Sequence, residues 1–270
     1  MAEANIPVRS YNLGRSALFS GTVILLTLFL CIFLSACSSH KSAFQKSKYI
    51  VVIDPAHGGR DLGEVAFDGK VAEKEINLMK AKSLAHYINM NSRFSAILTR
   101  NHDEEVALDQ RGAFPNIHHA DFFISLHTRF DKDPKRYEIS TYYVGYASDE
   151  KSISAAAHAN GTPAQNAHDL NAIINDLIDD DANCSSSRLS RNLQQNIFGN
   201  LAYNVNGGVI YDGPRTAPFY LLMGAKMPAV LIETPYTVHS INDKGKERMV
   251  HWDYVCEALL EGIEVYLRKQ

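Results

Sequence analysis

Short unbroken apolar runs alternate with longer stretches of helical spacing from residue 48 onward. Tyr49-Ile-Val-Val-Ile53 is β-branched at Ile50, Val51, Val52 and Ile53, which suits a strand covered on both faces. Asp54-Pro55 ends it, and Gly58-Gly59 let the backbone turn tightly behind His57. From Glu73 to Ile88 the apolar residues fall at 76, 78–79, 81, 84–85 and 87–88. That is helical spacing, with Glu73 and Glu75 in the first turn, where the helix dipole favours acids. Phe94–Leu98 reads as a second strand, and Glu104 to His119 as a helix bent or shortened by Pro115. Asp121-Phe-Phe-Ile-Ser-Leu-His127 is a buried strand ending on a histidine. Tyr137 to Tyr146 has the content of a strand. Residues 147–183 are the least patterned, with a helix around Asn166–Ile178. Ser187–Tyr203 predicts a helix, Asn206–Gly208 a turn, Pro228–Glu233 a last buried strand, and Lys246 to Leu267 a closing helix. The alternation predicts an α/β fold: a single central mixed, largely parallel sheet with helices on both faces, in one domain over 48–270.

The amino terminus carries a different pattern. Arg9 and Arg15 precede an apolar run from Ala17 to Leu34, followed by Leu34-Ser-Ala-Cys37 and then polar residues. A basic start, an apolar core and small residues at a cut site make residues 1–36 a secretory signal. Leu-Ser-Ala-Cys resembles a bacterial lipobox, which implies a lipid on Cys37 and a short polar tether over 37–47. The alternative is a permanent membrane anchor, since the run is nearly long enough to span a bilayer. Either reading puts the body outside the cytoplasm. The lipoprotein reading makes it a membrane-anchored protein of the cell envelope facing the periplasm, on the outer membrane if the cell has one.

Charge and cysteine content narrow the partners. A net charge of −3 over 270 residues, with no basic stripe interleaved with aromatics, argues against nucleic acid. In the body only Cys184 and Cys256 remain. An oxidising compartment would permit them to pair, and no close pair exists to bind metal.

Three predicted strands end in chemistry: His57, His127 and Glu233. If those strands are parallel, the three side chains share one edge of the sheet, and Glu73 at the start of the following helix can reach it. Two neutral imidazoles and a carboxylate are a common catalytic zinc set with a fourth position for water. A further carboxylate is what such a hydrolase needs as general base. Each residue alone has a plainer reading: a hydrogen-bonding histidine, a dipole-stabilising Glu73, a salt-bridged Glu233. His40 belongs to the tether, and His118-His119 to a helix end. His86, His102, His158, His168, His239 and His251 stand without a partner at ligand spacing and are read as structural.

Ile53-Asp-Pro-Ala-His-Gly-Gly, Ala72-Glu-Lys-Glu-Ile-Asn-Leu, Leu98-Thr-Arg-Asn-His-Asp, Ala120-Asp-Phe-Phe-Ile-Ser-Leu-His and Pro228-Ala-Val-Leu-Ile-Glu occur in that order. Together they resemble the zinc-dependent N-acetylmuramoyl-L-alanine amidases, the cell-wall amidases of the type 3 fold, from residue 50 to about 265. The resemblance implies one zinc ion on His57, Glu73 (rather than Glu75) and His127, with Glu233 as the catalytic glutamate. It implies peptidoglycan as substrate and cleavage of the amide between N-acetylmuramic acid and L-alanine. Arg111 matches a recurrent position and is expected to be structural.

The departures lie around the same rim. Ala56 replaces a usual Gly, which requires a negative φ. Thr128-Arg129 follows His127, and Thr234 onward differs beyond Glu233. Arg129 and Tyr236 are therefore candidates to contact glycan or peptide; their plainer readings are an exposed charge and a packed ring. Some relatives carry an inhibitory helix after the second histidine's strand, which residues 147–183 match poorly, and the sequence leaves an activator protein unknown. The alternatives are a catalytically silent peptidoglycan-binding lipoprotein, or a zinc peptidase or deacetylase on the same fold.

Overall fold

The structure, a computed structural model, describes residues 48–67, 69–131, 136–204, 208–237 and 246–269. The signal, Cys37, the tether, most of the predicted turn at 206–208 and His239 lie outside the described residues. Four strands run where unbroken apolar sequence predicted them or flank such runs. These are β1 (Tyr49–Pro55), β2 (Phe94–Leu98), β3 (Phe122–Asp131) and β8 (Ala229–Thr237). They pair in parallel in the order β2-β1-β3-β8. β5 (Ser140–Val144) adds antiparallel to β8, and β7 (Arg215–Ala217) pairs parallel to β5. The six-stranded sheet is thus mixed and largely parallel, as expected.

Side-chain alternation along these strands feeds two cores. On one face Val51, Ile53, Ile124, Leu126, Val230 and Ile232 pack against α1 (Glu73–Met90), α5 (Asp180–Asn204) and α6 (Lys246–Arg268). On the other, Val52, Phe123 and Leu231 meet α3 (Glu150–Asn160), α4 (Ala164–Ile173) and the segment around Phe219 and Leu221. His127 is in phase with Phe123, and Glu233 with Leu231. Both therefore belong to the second face, the one α3 covers.

Several boundaries differ from expectation. α2 (Leu108–Ile117) begins four residues later than predicted, because 103–105 contact the loop after β1 instead: the Gly59 amide donates to Asp103 and Arg60 pairs with Glu105. Pro115 lies inside α2 and is buried. The strand expected over 137–146 is two pieces. β4 (Arg136–Glu138) leaves the main sheet to pair with β6 (Gly208–Ile210), and β5 resumes after Ile139. β6 and β7 are three residues each, too short to leave a periodic signal. β3 and β8 run past His127 and Glu233, which lie within the strands and not at their ends. Cys184 is exposed and Cys256 buried, and both are free. Among the described residues no helix is long and apolar enough to cross a membrane.

α5 and α6 approach each other closely at Gly262, where an added Cβ would fall 3.1 Å from the Leu193 Cα and 3.3 Å from its nitrogen. Backbone cannot yield as a side-chain tip does. Gly262→Val is expected to cost about 1–3 kcal/mol by overpacking, measured as a lowered urea midpoint at unchanged slope.

Candidate metal centre

The loop after β1 is built to hold one ring. His57 has a left-handed backbone, φ 64°, unusual for a residue with a Cβ. Such a conformation costs about 1–2 kcal/mol and needs support. Ala56, the position where a positive φ would have been a problem, does not have one. Two buried arginines supply the support. Arg111 donates to the carbonyls of Pro55 (2.8 Å) and His57 (2.6 Å) and to Asp54 Oδ1 (2.8 Å). Arg100 donates to the carbonyls of Pro55 and Ala56, and to that of Lys74 in α1. Burial pushes the Asp54 carboxyl upward, but the Arg111 charge and hydrogen bonds from Thr99 and Ser125 outweigh it and hold the group below its usual range. Arg111 is structural, as expected.

Glu73 opens α1 with its side chain fully buried. Its Oε1 faces His127 Nδ1 at 3.1 Å and accepts the Thr128 amide at 3.0 Å. Its Oε2 lies 3.3 Å from His57 Nε2 and 2.7 Å from His158 Nε2, and accepts the Glu64 amide at 2.9 Å. His57, Glu73, His127 and His158 thus offer four ligand atoms within 4.8 Å of one another.

His158 was read from sequence as structural, and the structure corrects that. It lies 85 positions from Glu73 on a helix the sequence left undefined, so no spacing rule could pair them. Packing α3 onto the second face brings its ring 5.1 Å from that of His57 and 6.3 Å from that of His127. Its side chain is 42% exposed, unlike the other three.

The donor set fits a metal ion. His57 Nε2 is buried with no hydrogen-bond partner, while its Nδ1 is engaged by Asp61 at 2.7 Å. A carboxylate on the far nitrogen is how a ligating imidazole is oriented. Gly63, φ 65°, roofs the cluster: a Cβ there would fall 2.6 Å from the His57 ring and 2.7 Å from Glu73 Oε2. Without a metal, protons fill the same role. Burial works against a charged His57, yet the hydrogen bond to Asp61 and the nearby Glu73 carboxylate raise it to about 9. The Glu73 bond likewise raises His158, whereas burial holds His127 down. Burial would raise Glu73, but the three imidazoles hold it well below the usual carboxylate range.

Glu233 stands level with His127 on the neighbouring strand. Its Oε2 accepts Arg129 Nη1 at 2.6 Å, so the Arg129 charge is paired within the rim. Tyr236 takes its plainer reading: the ring is buried edge-on against Phe130, centroids 5.2 Å apart. The threonines flanking the rim serve a buried cation. Lys80 donates to Thr128 Oγ1 (3.1 Å) and Thr234 Oγ1 (2.5 Å), and lies 5.4 Å from the Trp252 ring centre.

A family model described as N-acetylmuramoyl-L-alanine amidase matches residues 51–265. The chain belongs to that family. It is 26% identical over 218 residues to the amidase LytC of Bacillus subtilis, covering 81% of this chain and 35% of that one. It is 25% identical over 239 residues to AmiA of Escherichia coli, covering 85% and 80%. The chain spans about a third to a half of LytC and of a probable amidase of Haemophilus influenzae. Among solved structures, an amidase of Clostridium difficile 630 superposes with a TM-score of 0.59 at 23% identity, covering 83% of this chain and all of that one. The CwlD amidase of Clostridioides difficile, solved in complex with the GerS lipoprotein, gives 0.55 at 21%, covering 83% and 100%. These two show the amidase-family fold.

The protonated cluster fixes the sign of two pH effects. With His57 raised from 6.5 to about 9, its share of stability in the metal-free protein is full below pH 6.5 and lost as pH rises through 9. A metal must displace that proton, so divalent-metal affinity is expected to increase over the same window with proton release. Calorimetric titration in buffers of different ionisation enthalpy measures both. An affinity flat from pH 6.5 to 9 would contradict the arrangement.

Arg111→Ala leaves Asp54 buried without its cation and is expected to cost about 3–5 kcal/mol. The loss is read as a lowered denaturation midpoint together with weakened metal binding.

Proposed function

We propose that this chain hydrolyses the amide bond between N-acetylmuramic acid and L-alanine in peptidoglycan. The observation carrying the proposal is the unpartnered His57 Nε2 facing Glu73, His127 and His158, one strand from a second carboxylate, Glu233. Three imidazoles and a carboxylate suit zinc better than magnesium or calcium, which take oxygen donors. The residues that would hold one zinc ion are His57, Glu73 and His127, with His158 at the fourth position. Bound there, zinc supplies Lewis-acid polarisation of an amide carbonyl and of water.

The chain's own residues do the rest. Asp61 keeps His57 Nε2 turned inward by holding Nδ1. Asn77 and the Thr128 amide hold Glu73 Oε1 from the side away from His57. Glu233 accepts the proton of the attacking water and returns it to the departing alanine nitrogen, the two duties of one general acid–base group. Hydrolysis needs an open position, and His158 is the donor that can vacate it, being half exposed and carried by a helix instead of the sheet. In this reading the protein is attached to the envelope through lipid on Cys37, with peptidoglycan in reach.

One observation favours a second reading, the catalytically silent wall-binding lipoprotein: four donors close the set as in a structural site. Incubation of the protein with purified sacculi separates the two. Stem peptides released intact, and stopped by a chelator, support the amidase; full zinc occupancy with no release selects the silent protein. Glu233→Gln is expected to keep one metal per chain and lose turnover by about 10²- to 10⁴-fold. His57→Ala should lose the metal, whereas His158→Ala should keep both metal and turnover. Unaltered metal content in His57→Ala would remove it from the set.

A further inference from the structure

We propose that Lys80 is a positioning residue for the metal centre, because its ammonium fixes the direction of a chain of hydrogen bonds that ends on Glu73 Oε1. The inference rests on the reading of Glu73 as a residue that would hold the ion. Glu73, Asn77 and Lys80 fall at i, i+4 and i+7 of α1, one stripe of the helix, and all three are buried. An apolar side chain is the ordinary occupant of such a third position, since burying an ammonium is costly unless it is paired and hydrogen-bonded.

What Lys80 adds is a group that can only donate. Its Nζ donates to Thr128 Oγ1 on β3 and to Thr234 Oγ1 on β8. Each hydroxyl has one proton, and an ammonium on its lone pair forces that proton to point onward. Thr128 gives its proton to Asn77 Oδ1 at 2.7 Å, and Thr234 gives its own to the His127 carbonyl at 3.2 Å. With Oδ1 engaged, Asn77 turns its NH2 toward Glu73 Oε1 at 3.3 Å and the Ala56 carbonyl at 3.4 Å. Turned the other way, Asn77 would set its own oxygen against a carboxylate oxygen and a carbonyl oxygen.

Without the ammonium the chain has no fixed sense. A threonine hydroxyl accepts from an amide NH2 as readily as it donates to an amide oxygen. Asn77 then populates both orientations, and in one of them Glu73 Oε1 keeps only the Thr128 amide and His127. The carboxylate that faces all three imidazoles is loosened with every ligand still in place. Lys80 touches neither Glu73 nor a metal-facing ring, so its influence passes through Thr128 and Asn77.

The full detergent-solubilised chain, 15N-labelled and metal-free, gives the first test. The Asn77 side-chain amide, assigned by its loss in Asn77→Ala, should show one pair of slowly exchanging protons. In Lys80→Met, which keeps the stem but not the charge, that pair should broaden and exchange faster. The buried Asn171 amide, bonded to the Ala147 carbonyl, should not change. An unaltered Asn77 pair overturns the proposal, and so does an equal change at Asn171, which is general loosening. Zinc titration gives the second test. Lys80→Met should weaken affinity about 10- to 100-fold, the range for residues that orient ligands. Asn77→Ala should weaken it likewise, and the double variant should lose less than the product of the two, because Lys80 acts through Asn77. Losses that multiply overturn the proposal. If Lys80→Met does not fold, combining it with Thr128→Val and Thr234→Val replaces the polar block by apolar groups of similar shape, which restores folding. That variant should still bind zinc about 10- to 100-fold more weakly; the affinity of the unaltered chain would overturn the proposal. If the unaltered chain binds no zinc, the metal-centre reading fails, while the Asn77 resonances still decide this one.

Discussion

A carboxylate with no access to water must be matched by positive charge, and Glu73 imposes that requirement on everything around it. Three imidazoles and two backbone amides converge on its two oxygens. In the metal-free protein the match is made by protons on His57 and His158, while burial holds His127 down. A divalent cation satisfies the same demand with the rings neutral. The centre is therefore a place where folding energy and metal affinity draw on one set of interactions.

The sheet turns that local demand into geometry. Parallel pairing aligns His127 with Glu233, and alternation sends both to the face that α3 covers. The loop bearing His57 is held by Arg100 and Arg111 through carbonyl oxygens, so its left-handed turn depends on two side chains from elsewhere in the chain. Lys74, next to Glu73, ties the same loop to α1 through the Gly59 carbonyl at 2.8 Å. A ring, a helix start and a strand are thereby held in one frame before any ligand is considered.

How much of this was legible in the sequence follows from which interactions are local. Ile50–Ile53, Phe122–Leu126 and Val230–Ile232 announce buried strands because burial on both faces leaves an unbroken apolar run. His57, His127, Glu73 and Glu233 were legible because each adjoins such a run or opens a periodic helix. His158 was not, because its role comes from where α3 docks and not from its neighbours in the chain. Arg129 likewise reads as a free charge until Glu233 is found on the next strand. The break at Ile139 was hidden since Tyr137–Tyr146 is uniformly strand-like, and only the pairing of β4 with β6 divides it.

Lys80 has a consequence for how this chain can change. Its ammonium is held beneath the centre by the hydroxyls of Thr128 and Thr234, which come from two different strands. Thr234 also donates to the His127 carbonyl, and Thr128 to Asn77. Through Asn77 and the His127 carbonyl these hydroxyls also reach Glu73 and the second imidazole. A change at position 80, 128 or 234 therefore alters the footing of the metal centre without touching a residue that would hold the ion.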